Sequence, residues 1–245
     1  MTEVQFVSAR ELERARRRGA RLIAEPPERD GWWLDEQSAG SIVPLFGRLR
    51  LRPGFRLVTY GSRGGIGGTG WTFAIPAEAE APALEELVIG DRFQPKPPPG
   101  ALAHFMEGVV GDGSLRSYVQ ASILGREVTE LGAWWHGLEW STHTLIGPSD
   151  GSELPVVYDS SLHAVEPTGM FDASQWRWSE TPPEDWRPRA ERVGDGTVTV
   201  TFWSYSELGS SAAYEHQDIY AVNGSLVPAG GHRRQLGSGP GGFVF

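Results

Sequence analysis

The stretch Thr197 to Val222 reads TVTVTFWSYSELGSSAAYEHQDIYAV. Two runs of alternating β-formers flank a polar, glycine-bearing link, a pattern that predicts paired antiparallel strands. Upstream, Arg187 to Val193 and the turn Gly194-Asp195-Gly196 add a strand, and Asn223-Gly224 closes the last one. In the first run Val198, Val200 and Phe202 share one face, while Thr199, Thr201, Trp203 and Tyr205 share the other. In the second run Tyr214, His216, Asp218 and Tyr220 lie on one side. Pairing Ser206 with Ala213 sets Trp203 opposite His216, Tyr205 opposite Tyr214 and Thr201 opposite Asp218. That register gathers rings, an imidazole and a carboxylate on one face and leaves aliphatics on the other. Such a face is either the solvated outside of a sheet or the lining of a barrel-like pocket.

Working towards the N-terminus, Gly147-Pro148-Ser149-Asp150-Gly151 matches GxSxG. A nucleophile elbow needs a helix after the serine. SELPVVYD follows instead, so an ordinary Pro-Ser-Asp-Gly turn is expected. Before it stands Glu130 to Leu145, ELGAWWHGLEWSTHTL. A helix there would bring His136, Glu139, Trp140 and His143 onto one face, with spacing suited to a metal. Gly132 and Gly137 oppose a helix, and Trp140, Thr142, Thr144 and Ile146 favour a strand. As a strand, Trp134, His136 and Trp140 point one way, Glu139 and His143 the other, and the metal trio is broken. No metal is expected.

Two helices are marked. Ser8 with Glu11 makes a capping box, followed by the apolar stripe Leu12, Ala15, Gly19, Leu22 and Ile23. Arg10, Arg14, Arg17 and Arg21 run beside it. Residues 1–30 nevertheless carry seven arginines against six acids, so this helix is expected to lie on its own acidic protein or face water. A second helix runs from Ser114 to about Leu131, with Tyr118, Ala121, Leu124 and Val128 at helical spacing and Gly132 as the stop.

Short strands are expected at Arg48 to Arg52, Phe55 to Tyr60 and Trp71 to Ile75. Between the last two, Gly65, Gly67 and Gly70 fit GxGxxG. The dinucleotide fingerprint requires a helix next, and WTFAIP is a strand. A hairpin loop is the expectation, with Arg63, Gly65 and Gly67 as a weak anion-binding candidate. Residues 76–100 are acidic, then proline-rich, and read as a connector. We take 1–245 as one domain. The alternative is 1–90 and 101–245 joined by a Pro-rich connector at 91–100.

Composition narrows function by exclusion. A formal charge of −9 opposes general nucleic-acid or anionic-membrane binding. Zero cysteines exclude disulfides and thiolate chemistry, and Lys96 is the only lysine for Schiff-base chemistry. The start, MTEVQFVSAR, lacks a secretory pattern, and no run approaches the roughly 18 apolar residues of a membrane span, so a cytoplasmic location is expected. No cofactor motif is found. The tail Phe243 to Phe245 is expected to dock rather than hang free.

The fold expected is α+β and mainly antiparallel, a curved sheet or partly open barrel with helices packed at about 8–23 and 114–131. The leading functional expectation is a small-molecule-binding protein for a small hydrophobic or aromatic ligand. Its pocket would be lined by Trp203, Tyr205, Tyr214 and His216, joined by Trp134, His136 and Trp140. The alternative is an acid–base enzyme using His216 with Asp218, or His143 with Glu139. A protein-interaction module using the first helix and the tail is the third reading.

Overall fold

The computed structural model describes residues 2–25, 27–28, 30–65, 67–90, 94–148, 155–159, 161–165, 167, 174–221 and 223–240. The GxSxG serine, Ser149, and the apolar tail Phe243 to Phe245 lie outside the described residues.

Along the chain, β1 (Glu3–Phe6) leads into α1 (Ala9–Ala20), β2 (Gly31–Asp35), the short α2 (Ser38–Ile42) and β3 (Leu49–Leu51). The hairpin β4 (Phe55–Gly64) and β5 (Gly67–Pro76) follows, then β6 (Val109–Gly111), α3 (Leu115–Thr129) and β7 (Trp134–Trp135). Next come β8 (His143–Pro148), β9 (Pro155–Tyr158), β10 (Ala164–Val165) and β11 (Arg177–Trp178). The last four are β12 (Arg189–Arg192), β13 (Val198–Ser206), β14 (Ala212–Tyr220) and β15 (Gly230–Ser238). All the strand pairings among the described residues are antiparallel, and the fold is α+β with open sheets. No helix among the described residues is long and apolar enough to cross a membrane.

The larger sheet runs β10-β9-β8-β13-β14-β15-β11. On the side away from β14, the first half of β13 pairs with β12 and the second half with β8. A smaller sheet, β2-β4-β5-β7, shares the core of the larger one. One apolar cluster joins Leu57 and Ala74 of the small sheet, Leu12 of α1, Val119, Ile123 and Leu124 of α3, and Val200 and Phe202 of β13. Ten residues of α3 are buried, on all sides of the helix, as expected of an element enclosed between layers. Full burial of a side chain such as Leu12 or Phe202 is worth about 1.5–3 kcal/mol each.

Both helices begin where their caps predict. Ser8 Oγ accepts the Glu11 N–H at 3.4 Å. Ser114 occupies the second N-cap, but its hydroxyl donates back to Asp112 at 2.6 Å instead of capping. The glycine-rich stretch is the β4–β5 hairpin, with Gly67 and Gly70 inside β5, so no helix follows that could carry a dinucleotide. Glycine at 70 has a steric reason, since a methyl group there would overlap the Leu131 carbonyl. Part of the connector lies across this hairpin, where Ala81 and Leu87 pack against its outer apolar cluster and Tyr60 Oη donates to the Pro82 carbonyl at 2.9 Å.

Two expectations are corrected. The strand predicted through 134–146 is broken. Trp134 pairs with Gly68 in the small sheet, the chain turns at Gly137, Trp140–Thr142 forms a 3₁₀ turn, and β8 starts at His143. The cause is Glu130. Its carboxylate accepts N–H groups from Glu139 at 2.6 Å, from Trp140, and from Ser141 at 2.7 Å, which pins that turn.

The second correction is the register of the quoted hairpin. Ser206 faces Ala212, so Trp203 lies opposite Glu215, Phe202 opposite His216, Ser204 opposite Tyr214 and Val200 opposite Asp218. A slip of one residue moves every side chain of one strand to the other face. Trp203 and Tyr205 therefore leave His216, Tyr214 and Asp218 and join Trp176, Trp186 and Leu236 beneath the outer surface of the sheet. The polar–aromatic face assembled from sequence does not form.

Candidate functional site

A cleft of about 770 Å³ opens where the end of α3, the Ala133–Trp140 segment and β14–β15 meet, a size usual for small-ligand sites. His216, Asp218, Arg126, Glu139, Trp140 and Arg233 are among its wall residues. Strand alternation places His216 and Asp218 on the helix side of β14, and α3 presents Arg126 to them.

Arg126 grips Asp218 with two bonds, Nη1 to Oδ2 at 2.6 Å and Nη2 to Oδ1 at 2.9 Å, and Nη1 also donates to the Ser122 carbonyl at 2.8 Å. Such a fork holds both partners in one orientation. Gly231 faces Asp218 across the β14–β15 ladder, and a side chain there would press on Asp218 Oδ1 and overlap the Gln217 carbonyl. At the rim, Arg233 pairs with Glu139 and covers the Tyr214 ring at 5.2 Å.

Behind the cleft, Ser204 Oγ lies 2.7 Å from His143 Nδ1 and 2.7 Å from His216 Nε2. His216 stacks on Phe202 with centroids 4.7 Å apart and meets the edge of Trp140 at 5.5 Å. Burial, aided by the charges of Arg233, Arg16 and Arg126, lowers the His143 pKa to about 3. Burial, aided first by Arg126, lowers that of His216 to about 2. Both rings are neutral at physiological pH. His216 Nδ1 is buried and has no hydrogen-bond partner among the described residues.

Trp140 is held by charge. Its Nε1 donates to Glu127 Oε1 at 2.5 Å, and Arg16 Nε donates to the same oxygen at 2.5 Å. Arg16 also donates to Glu13 at 2.5 Å and to the His143 carbonyl at 2.7 Å, with its guanidinium 4.5 Å from the Trp140 ring centroid. Burial opposes its charge, yet Glu127 and Glu13 keep the Arg16 pKa above its ordinary value.

The structure thus brings together His216, Asp218, His143, Trp140 and Tyr214 on one side of the sheet, the last with its ring 5.0 Å from His143. It sets Trp203 and Tyr205 on the opposite side. His216 and Asp218 make no dyad, because Asp218 is taken by Arg126, and Glu139 is bonded to Arg233 instead of His143. Trp134 belongs to the small sheet beneath Arg63, whose guanidinium lies 4.2 Å from its ring, and His136 is exposed nearby. At the anion candidate, Arg63 donates to the Pro27 carbonyl at 3.0 Å and Gly65 N–H points to Asp30 Oδ2 at 3.4 Å, so the chain supplies its own carboxylate. Gly67 ends that turn as the first residue of β5. Among the described residues no group of three or more His, Asp or Glu side chains is placed to hold a metal.

Sequence reasoning missed Ser204, Arg126, Glu127, Glu130, Arg16 and Arg233. One signal was present for Arg16, which sits four residues after Leu12 on the apolar stripe of α1, where a charge demands a buried partner. The chain matches no protein-family model, no curated protein and no solved structure.

Proposed function

We propose that the chain is a small-molecule-binding protein whose ligand occupies the cleft between α3 and β14–β15, against His216 and beside the Arg126–Asp218 fork. One observation carries this reading. His216 is 2% exposed, forms part of the cleft wall, and keeps a ring nitrogen without a hydrogen-bond partner among the described residues. A buried polar atom left unpaired costs about 1–3 kcal/mol, which a bound ligand group would relieve.

Binding is preferred over acid–base catalysis on the same residues. A general base works best with a pKa near the working pH, and the imidazoles here sit at about 3 and about 2. The carboxylate beside His216 is neutralised by Arg126, and burial and the neighbouring guanidinium charges depress the ring's basicity.

The test is native mass spectrometry of protein purified from its source, followed by titration of the released molecule. A retained small molecule is expected, with affinity reduced at least tenfold in His216→Ala while the fold persists. Binding unchanged by His216→Ala, or a ligand seated against Trp203 on the opposite face, overturns the proposal.

A further inference from the structure

Ser204 is 0% exposed and bridges two neutral imidazoles. A hydroxyl owns one proton, so it donates to one ring and accepts from the other. If His143 carries its proton on Nδ1, Ser204 must donate to His216 Nε2, and His216 then carries its proton on Nδ1. If His216 carries its proton on Nε2, Ser204 donates to His143 Nδ1, and His143 is protonated on Nε2. Either way the two rings share one tautomer.

The surroundings choose between the two states. His216 Nδ1 is buried in the cleft wall without a hydrogen-bond partner among the described residues, and His143 Nε2 is not buried and unpaired in this way. An N–H enclosed with no acceptor is rarer in folded proteins than an acceptor short of a donor. The state with both protons on Nε2 avoids that orphan donor and leaves His216 Nδ1 bare.

The wall also specifies charge. Arg126 is matched by Asp218, Arg233 by Glu139, and Glu130 by three backbone amides. His232 lies 3.8 Å from Glu215. A charged ligand would find its counter-charges already engaged.

We propose that His143, Ser204 and His216 form a tautomer-locked chain that leaves His216 Nδ1 a bare acceptor within the cleft wall, so that the cleft selects uncharged small molecules bearing a hydroxyl or amide N–H. The selection rests on the cleft being the ligand site; the lock does not. A ligand offering only an acceptor must turn over both rings and the Ser204 hydroxyl before it can bond to His216.

The experiment is multiple-bond ¹H–¹⁵N NMR of the full chain labelled at histidine, which reads each ring's tautomer without any ligand. His143 and His216 are expected as matching Nε2–H tautomers, unchanged from about pH 5 to 8, the range where free histidine titrates. Ser204→Ala is expected to change the tautomer balance of at least one ring. Opposite tautomers in the wild-type protein, or a Ser204→Ala spectrum identical to it, overturn the lock. For selection, 2-naphthol is expected to shift the His216 signals at concentrations at least tenfold below those needed for 2-methoxynaphthalene or 2-naphthoate. Equal affinity for the ether overturns the selectivity. If no probe shifts His216 while the tautomers match, the ligand-site reading falls and the lock stands.

Discussion

On the helix side of the β13–β14 hairpin, Ser204, His216 and Asp218 are enclosed by α3, β8 and Trp140, and their polar atoms are almost all matched. On the opposite side Trp203 and Tyr205 are enclosed by Trp176, Trp178 and Trp186, with Trp203 Nε1 and Trp176 Nε1 unpaired among the described residues. The two faces exclude water to a similar degree and for different ends. The outer one is filled mainly by rings, whose worth is area and edge-to-face contact. The inner one spends its interior on charge pairs and imidazoles, which are costly to bury and orient their neighbours sharply. A pocket belongs with the second kind of interior, and the cleft opens there.

The contrast can be broken most forcefully at Arg16. Arg16→Ala leaves Glu13 and Glu127 enclosed without their cation, and a loss of about 4 kcal/mol in unfolding free energy is expected in urea titrations at neutral pH. An effect below about 1 kcal/mol would mean that the inner face does not depend on its charges.

Acid comes next. His143 and His216 have folded pKa values of about 3 and about 2, against 6.5 for the free side chain, so the unfolded chain binds more protons below 6.5. Stability from this pair is complete above 6.5 and is lost as pH falls towards the folded values. Between 6.5 and about 5 the two rings together are expected to remove about 3 kcal/mol. Urea midpoints across that window, with His216→Phe reducing the slope by about half, check it.

The smallest effect is expected from the outer face. Trp203→Leu trades one large ring for a smaller apolar group and should cost about 2 kcal/mol through the space it leaves. The dependence on acid should stay as in the parent chain. If Trp203→Leu flattens it, the two faces are coupled and do not act as separate interiors.

Much of this architecture was legible from local chemistry. Ser8 and Ser114 mark helix starts, the glycines at 61–70 mark a hairpin, and the alternation in β13 and β14 marks two strands. Register was not legible, because alternation sets a register only when one face is wet. Val200 and Trp203 both sit in dry interiors, so the pattern looks equally good at either pairing. The break at 137–142 was hidden for a different reason. Its cause is a carboxylate at Glu130, which in the sequence is simply an acid near a helix end. Ser204 was hidden too, being a small residue between rings that were themselves assigned to the wrong side.

The pairing of β1 with β12 carries a consequence for the order of assembly. Glu3 reaches Arg192 across 189 residues, joining β1 to a sheet whose strands β12 and β13 are made far later. During synthesis β1 emerges long before any partner exists, and α1, fastened through Arg16 to Glu127 and His143, waits with it. Contacts this distant in the chain slow folding and leave strand edges unpaired in the interim. The β1 segment is therefore a late arrival in the folded sheet although it is made well before the strand it pairs with.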